Sequence, residues 1–188
     1  GNATWQRNRI TNLRLNARSA SPHTPAGAID SHYVQVLSEG HAPYSYYVYK
    51  QIYDERTGLP IEGLYADLNG DGKVDSKDLY HHHSPSADWL FGFSTSVRWK
   101  RLTLSTSLRA SVGNYLYNGM AMNTGAWETM SYNSYQLNRL HASYLETHFR
   151  KRQFESDLYV ENASFLKMDN LQLSYNFGNI AKWCSLNA

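Results

Sequence analysis

The chain has 188 residues, a mean hydropathy of -0.58 and a formal net charge of +2. This charge is too small to indicate a nucleic-acid partner. No run approaches the roughly 18 consecutive apolar residues of a membrane-spanning helix, which excludes a helical membrane protein. The 15 Tyr and 5 Trp residues favour strands and hydrated loops, in either a soluble β domain or a membrane β-barrel.

The first part of the chain contains three candidate strands. Residues 4–18 mix apolar residues with Asn and Arg, which predicts a strand with a very polar face, and residues 31–37 predict a short second strand. Residues 44–53 are rich in Tyr and predict a third strand. Aromatic density of this kind suits a membrane-interface girdle or a surface that stacks on sugars.

Residues 67–78 form an acidic loop. Acidic or amide side chains stand at loop positions 1, 3, 5, 9 and 12, with Gly72 at position 6. This spacing wraps oxygen ligands around a hard cation, and calcium is its natural occupant. The candidate ligands are Asp67, Asn69, Asp71, the carbonyl oxygen of Lys73, Asp75 and Asp78.

The sequence around this acidic loop limits the interpretation. Gly and Pro residues within 57–63 disfavour the flanking helix of an EF-hand, so we expect the loop to lie among turns and strands. Asp78 is shorter than the Glu that usually closes such a loop, which predicts modest affinity. The alternative is an Asx-rich turn that only reverses the chain.

Three consecutive histidines, His81, His82 and His83, follow the acidic loop. In an extended chain they alternate sides and cannot all reach one metal, so we predict exposed loop residues. The single cysteine, Cys184, forms no intrachain disulfide and is interpreted as a packing residue. No acid, base or nucleophile spacing indicates an enzyme.

Residues 89–113 carry the clearest pattern, with Phe, Val, Trp and Leu on one parity and Ser, Arg and Gly on the other. This alternation, interrupted at Lys100-Arg101, predicts an antiparallel hairpin with strands of about ten residues, as in a membrane barrel. A soluble sandwich with Leu and Phe inward fits the same pattern. Arg98 and Arg109 fit a water-filled barrel interior as well as bulk solvent.

The second half continues with a long irregular segment and a last strand. Residues 114–160 lack sustained periodicity and predict a long outer loop, within which residues 135–152 suggest a helical stretch. Residues 164–177 alternate again and predict a barrel strand. We expect this strand to end at Gly178-Asn179, with no further strand after it.

Five pieces of the sequence occur in a specific order and spacing. They are YYVYK at 46–50, GLYADLNGDGKVD at 63–75, FGFS at 91–94, GNYLYN at 113–118 and YVENASFLKMDNLQLSY at 159–175. With these pieces the chain resembles the C-terminal barrel region of the SusC/RagA family of TonB-dependent outer-membrane transporters from Bacteroidetes. The family's Gly-Asn-Pro-x-Pro turn is replaced at residues 81–87, where only Pro85 matches.

The resemblance implies an all-β fold in which antiparallel strands and long loops form part of a transmembrane β-barrel of the 22-stranded plugged class. Residues 1–188 would supply a partial C-terminal barrel region without the plug domain. The barrel would lie in the bacterial outer membrane, in contact with its lipid.

The resemblance also implies a function. The barrel would import oligosaccharides or peptides together with a SusD-like surface lipoprotein, using energy from the TonB complex. The alternative is a secreted soluble β domain that binds calcium and carbohydrate, with tyrosines as the stacking platform. Neither interpretation involves catalysis or nucleic acid.

Overall fold

The computed structural model describes residues 1–13, 23–29, 31–131, 140–181 and 184–187. The strands are β1 (Asn2–Trp5), β2 (His23–Ile29), β3 (His32–Ser38), β4 (Ser45–Val48), β5 (Gln51–Tyr53), β6 (Pro60–Tyr65), β7 (Tyr80–His82), β8 (Trp89–Trp99), β9 (Leu102–Val112), β10 (Tyr115–Tyr117), β11 (Val160–Asn162), β12 (Phe165–Ala181) and β13 (Cys184–Asn187). The helices are α1 (Gly119–Thr124), α2 (Glu128–Ser131), α3 (Tyr144–Thr147) and the short 3-10 helices Ser76–Asp78 and Asp157–Tyr159. None of the helices in these ranges is long and apolar enough to cross a membrane.

The chain folds as two compact units. Unit 1 comprises Gly1–Gln6, Ala87–Gly113 and Ala163–Ala188, and unit 2 comprises Arg7–Ser86 and Asn114–Asn162. The strand pairs of both units are antiparallel. The expected all-β, antiparallel fold class is therefore confirmed.

Unit 1 is a sheet with the strand order β1-β8-β9-β12-β13. The hairpin predicted at its centre is confirmed, because β8 and β9 pair along their whole length on either side of Lys100 and Arg101. The register places apolar residues opposite apolar residues, as with Phe93 and Leu108. Since side chains alternate along each strand, one face of the sheet collects the apolar residues.

A β-bulge lies in the middle of β12. Met168 pairs with Leu108 and Asn170 pairs with Ser107, so Asp169 is an extra residue without a counterpart on β9. The apolar residues of β12 on this face of the sheet are even-numbered before the bulge and odd-numbered after it. The bulge thus keeps both halves of the strand on one apolar face.

The expectation that the last strand ends at Gly178-Asn179 is wrong. β12 continues to Ala181 and then pairs with β13. The register shifts between Asn176 and Gly178, and the φ angle of Gly178 is 81°. The glycine therefore serves a bulge within the strand rather than its end.

Unit 2 has a sheet with the order β2-β3-β4-β7 and two smaller pairs, β5-β6 and β10-β11. Its core draws on both of its chain segments. The buried core residues are Val34, Tyr46, Val48, Tyr117, Ala121, Met122 and Tyr159. Residues far apart in the sequence must therefore meet before this core exists.

Two predicted strands of the first segment differ from the structure. The strand expected over 4–18 ends at Trp5, and Ile10 instead bonds through its backbone to His41 and Gly40. Residues 14–22 lie outside the described part of the chain. The Tyr-rich strand is divided into β4 and β5, because Tyr49 leaves the ladder and bonds to the backbone of the second segment.

The segment over 114–160 has secondary structure of its own. Asn118 caps α1 by accepting the N–H of Ala121 at 2.9 Å. Within the predicted helical stretch 135–152, the described helix is α3, which ends where His148 adopts a φ of 53°. Residues 132–139 lie outside the described ranges.

Candidate functional site

The acidic loop leaves β6 and is folded by its own side chains. The Asp67 carboxylate accepts the N–H of Gly70 at 2.6 Å and of Gly72 at 2.7 Å. Asn69 Oδ1 accepts the N–H of Asp71 at 2.8 Å. The φ of Gly72 is 81°, a conformation that side chains bearing a Cβ resist. These are successive Asx turns, which explain the spacing of Asx and Gly residues.

Asp78 closes the loop from inside. It is wholly buried, and its carboxylate accepts backbone N–H groups from Leu68 at 2.9 Å, Asn69 at 3.2 Å and Asp75 at 2.8 Å. These bonds, that from Asp75 first, hold the pKa of Asp78 below its ordinary value. A short Asp reaches these amides, so the residue predicted to close a metal loop joins the two ends of this loop directly.

The six predicted calcium ligands are near one another in sequence, but their acidic groups are engaged with backbone amides. Lys73 donates its N–H to Asp71 Oδ1 at 3.0 Å, and Lys77 donates its N–H to Asp75 Oδ1 at 2.8 Å. Among the described residues, no three His, Cys, Asp or Glu side chains are grouped as a metal site. A carboxylate oxygen has a further lone pair, so calcium binding stays a prediction that chelation can test.

The three histidines are placed differently from the prediction. His81 and His82 lie in β7 and are half-buried, whereas His83 is exposed with a φ of 36°. The expectation of exposed loop residues is therefore wrong for the first two. Because β7 pairs with β4, His81 is brought opposite Tyr47, and its ring stacks on His41 with centroids 3.5 Å apart.

His81 lies in an apolar and imidazole-lined environment. Both ring nitrogens are buried and find no hydrogen-bond partner within the described residues. Burial, together with the nearby His41 and His23, lowers the pKa of His81 to about 4. The ring is therefore neutral at physiological pH and packs as an aromatic side chain.

A set of polar side chains joins the two segments of unit 2, and we call Gln51, Glu62, Gln153, Ser156 and Asp157 the polar latch. The Gln51 amide donates to the carbonyl oxygens of Ile61 at 2.7 Å and Leu64 at 3.1 Å. Its oxygen accepts the Ser156 hydroxyl at 3.1 Å. Both Gln51 and Ser156 are buried, so these bonds satisfy groups that water does not reach.

The other members of the polar latch bind the same two segments. Glu62 accepts the backbone N–H groups of Arg150 at 3.0 Å and Lys151 at 2.9 Å. Gln153 Oε1 accepts the N–H of Gly63 at 2.8 Å. The sequence gives no periodic or local signal for these bonds, because their partners lie far apart along the chain.

Asp157 completes the polar latch at β7. Its carboxylate accepts the N–H of Gln51 at 2.9 Å and the hydroxyl of Tyr80 at 2.7 Å. The Tyr80 oxygen also lies 2.8 Å from His82 Nδ1. Burial and the hydrogen bond to Asp157 raise the pKa of Tyr80. Because side chains alternate along a strand, Tyr80 and His82 lie on the opposite side of β7 from His81.

The apolar face of the unit 1 sheet is exposed. Leu166 is 75% exposed and Trp99 is 68% exposed. The most exposed large apolar residues of this face are Trp5, Trp89, Phe91, Phe93, Val97, Trp99, Leu104, Val112, Leu166, Met168, Leu171, Leu173, Tyr175 and Phe177. An exposed patch of this extent marks a surface that contacts a partner or a membrane.

The opposite face of the sheet carries small polar side chains. A shallow groove is lined by serines and threonines of β8 and β9 and by Asn170. Ser96 and Ser105 hydroxyl oxygens lie 3.0 Å apart across the two strands. Arg109 and Asp169 form an ion pair at 3.1 Å. The polar face also carries Leu90 and Phe165, which both pair with Ser111 at the end of the sheet away from the Lys100-Arg101 turn. Both faces are accessible, and they differ in polarity over most of their length.

The connections of this sheet are long at one end and short at the other. At the end where Trp5 pairs with Trp89, the chain makes two excursions, over residues 7–86 and 114–162. At the other end, Lys100 and Arg101 alone join β8 to β9. The length of the connections therefore distinguishes the two ends of the sheet.

Two curated proteins are similar in sequence to this chain. The TonB-dependent receptor SusC of Bacteroides thetaiotaomicron is 37% identical over 188 residues, which cover 96% of this chain and 18% of the relative. The TonB-dependent receptor P3 of Formosa agariphila is 27% identical over 159 residues, covering 76% of this chain and 16% of the relative. The chain therefore spans less than a fifth of the length of either relative. No family model matches the chain.

Solved structures share the fold of this chain. The RagAB peptide transporter matches with a TM-score of 0.62 and 21% identity, covering 93% of this chain and 20% of that chain. The RagAB peptide importer in its closed-closed state matches with a TM-score of 0.61 and 20% identity, with the same coverage. The relatives and structural neighbours are named as receptors or transporters, which agrees with the absence of catalytic spacing in the sequence.

Proposed function

Because the chain belongs to the SusC/RagA family of TonB-dependent receptors, we propose that it forms part of the wall of an outer-membrane importer. The unit 1 sheet lies in the membrane, with its apolar face toward lipid and its polar face toward the interior. The observation that carries this proposal is the exposure of one continuous apolar face. In water such a face would be covered or would aggregate.

The dimensions of the sheet support a membrane location. β8 has 11 residues, from Trp89 to Trp99. At about 3.4 Å per residue its length is about 34 Å, and a tilt of about 45° reduces the height to about 24 Å. The apolar band of outer-membrane barrels is about 25 Å tall and is bordered by aromatic residues. Trp5 and Trp89 border one end, while Trp99 and Tyr175 border the other.

The connections support an orientation. Outer-membrane barrels have short turns on the periplasmic side and long loops on the outside. The turn at Lys100 and Arg101 is then periplasmic, and the two long excursions are extracellular. In this proposal the acidic loop, which lies within the first excursion, is a structural clasp that binds calcium.

The transported material is an oligosaccharide or a peptide, and a SusD-like surface lipoprotein and the TonB complex are the partners. Support for the partners comes from the family, and support for the peptide comes from the RagAB importer, which shares the fold at 20% identity. The two substrate classes are separated by growth of a deletion strain. Loss of growth on oligosaccharides alone or on peptides alone identifies the class.

The membrane part of the proposal is tested with neighbouring residues on opposite faces. Leu108 lies on the apolar face near the middle of β9, and Ser107 lies on the polar face. Leu108→Arg in the full-length polypeptide should lower the folded amount in outer membranes, since an arginine on the lipid face costs about 2–4 kcal/mol at the midplane. Ser107→Arg should assemble normally.

Purification gives the contradicting outcome. The full-length polypeptide should require detergent for extraction and should co-purify with a SusD-like lipoprotein. A soluble monomer without detergent would refute the importer and support a secreted β domain that binds calcium and carbohydrate.

A further inference from the structure

The short-turn end of the unit 1 sheet combines positive charge with exposed aromatic rings. Lys100 and Arg101 form the turn between β8 and β9, and both are exposed. The Lys100 ammonium lies 5.4 Å from the ring centroid of Trp99. Trp99 itself is among the most exposed aromatic side chains of the described residues. The ammonium group of Lys100 therefore lies beside an exposed aromatic ring, that of Trp99.

Among the described residues of unit 1, no acidic side chain pairs with these cations. The acidic residues of unit 1 are Asp88 and Asp169. Asp88 lies at the opposite end of the sheet, where its N–H bonds to the Val112 carbonyl oxygen at 2.9 Å. Asp169 is paired with Arg109. The turn end thus has a positive potential, to which Arg98 on the polar face adds.

The apolar surface continues from the turn along the sheet. Trp99 pairs with Leu102, which pairs with Tyr175. Tyr175 and Phe177 are both exposed, and their rings lie 4.8 Å apart. A molecule that fits this end must therefore present an anionic group to the turn and an apolar body to the rings.

We propose that Lys100 and Arg101 bind the phosphate headgroup of an anionic phospholipid whose acyl chains lie on Trp99 and Tyr175. The inference rests on the proposed membrane location and names the lipid class at that surface. The Arg guanidinium matches a phosphate through paired N–H groups, and the Lys ammonium adds a point charge. Each basic side chain near an anionic membrane surface contributes roughly fivefold in affinity.

The test uses the full-length polypeptide reconstituted in phosphatidylcholine vesicles that contain a minority of phosphatidylglycerol. In one preparation the phosphatidylcholine carries brominated acyl chains, and in the other the phosphatidylglycerol carries them. Quenching of Trp99 is obtained as the difference in fluorescence between the wild type and Trp99→Phe. Brominated phosphatidylglycerol should quench Trp99 several-fold more than its share of the bilayer predicts.

In the double variant Lys100→Gln/Arg101→Gln, the excess quenching of Trp99 by brominated phosphatidylglycerol should fall by roughly fivefold or more. Quenching by brominated phosphatidylcholine should stay unchanged. The matched control is Arg150→Gln/Lys151→Gln, which removes an exposed basic pair from unit 2 and should keep the excess. Raising the salt concentration to about 1 M, where the screening length is about 3 Å, should reduce the excess in the wild type.

The outcomes separate this inference from the proposed function. Quenching by the two lipids in proportion to their amounts, or an excess that survives in the double variant, overturns the lipid site. An acidic protein segment at the turn would give this same proportional quenching. Absence of quenching by either brominated lipid overturns the membrane location itself.

Discussion

Asp169 Oδ1 and Arg109 Nε lie 3.1 Å apart, so the extra residue of the β12 bulge is tied to the neighbouring strand. Both side chains are more than one-third exposed, with 56% of Arg109 and 37% of Asp169 accessible. The ion pair is therefore worth little by itself. Asp169 matters to the structure because, as an extra residue, it shifts the register of β12 against β9.

Deleting Asp169 should prevent normal assembly of the full-length polypeptide. Without the extra residue, one half of β12 would turn its apolar side chains to the polar face. Asp169→Asn keeps the bulge and should change stability by no more than about 1 kcal/mol. The assembly of both variants is measured by their protease resistance in outer membranes. Equal resistance of the two variants would contradict this role of the bulge.

Calcium should raise the melting temperature of the full-length polypeptide, and chelation should lower it. At a hundredfold excess over the dissociation constant, a ligand stabilises the folded state by about 2.7 kcal/mol. Asp71→Ala should abolish the calcium-dependent shift. Asp54→Ala removes a similar Asx turn, in which the Asp54 carboxylate accepts the N–H groups of Arg56 and Thr57. This control variant should retain the calcium-dependent shift. An unchanged wild-type melting curve on chelation would leave the acidic loop as a turn only.

Stability of unit 2 should fall in acid because of His81. Its pKa is about 4 in the folded state, below the ordinary value of 6.5. As the pH falls, His81 therefore binds a proton in the unfolded chain before it does so in the folded chain. The contribution of His81 to the free energy of unfolding is complete above about pH 6.5 and declines as the pH falls toward about 4.

The measurement is thermal unfolding as a function of pH. His81→Phe should flatten the curve in that window, because phenylalanine has no titratable group in either the folded or the unfolded state. His148→Asn, a change at an exposed histidine outside this cluster, should retain the wild-type slope. A wild-type slope in His81→Phe would show that other groups cause the acid sensitivity.

Gln51→Leu should destabilise unit 2 by about 1–3 kcal/mol, because the change removes the donor to the Ile61 and Leu64 carbonyl oxygens and the acceptor for the hydroxyl proton of buried Ser156. Gln51→Glu removes the donors while keeping the size of the side chain, and it should destabilise as well. Gln172→Leu, an exposed glutamine on unit 1, provides the control. Hydrogen exchange at the amides of β5 and β6 reports the loss, and unchanged exchange in Gln51→Leu would contradict the polar latch.

The sequence predicts the elements whose physics is local. Alternation between Trp89 and Val112 is enough to place β8, β9 and their two faces, because a strand repeats every two residues. The change of parity between Met168 and Leu171 is visible in the sequence, and it is the signal for the bulge. The predicted strand end at Gly178 was wrong because a glycine in the left-handed region occurs both at the end of a strand and within a bulge.

The contacts of unit 2 could not be predicted in the same way. Gln51 and Ser156 meet although most of the chain's middle lies between them, and no periodic pattern encodes such a meeting. The burial of His81 likewise depends on the pairing of β7 with β4. Both features follow from tertiary packing, which determines the environment of a residue independently of its neighbours in sequence.

The shared core of the two excursions has a consequence for modularity. Val34 and Val48 come from the first excursion, and Tyr117 and Met122 come from the second. Transplanting either excursion alone into a related receptor would carry half of a core and half of the polar latch. The smallest exchangeable part of this region is therefore the pair of excursions, so a chimera that changes surface specificity must transfer both together.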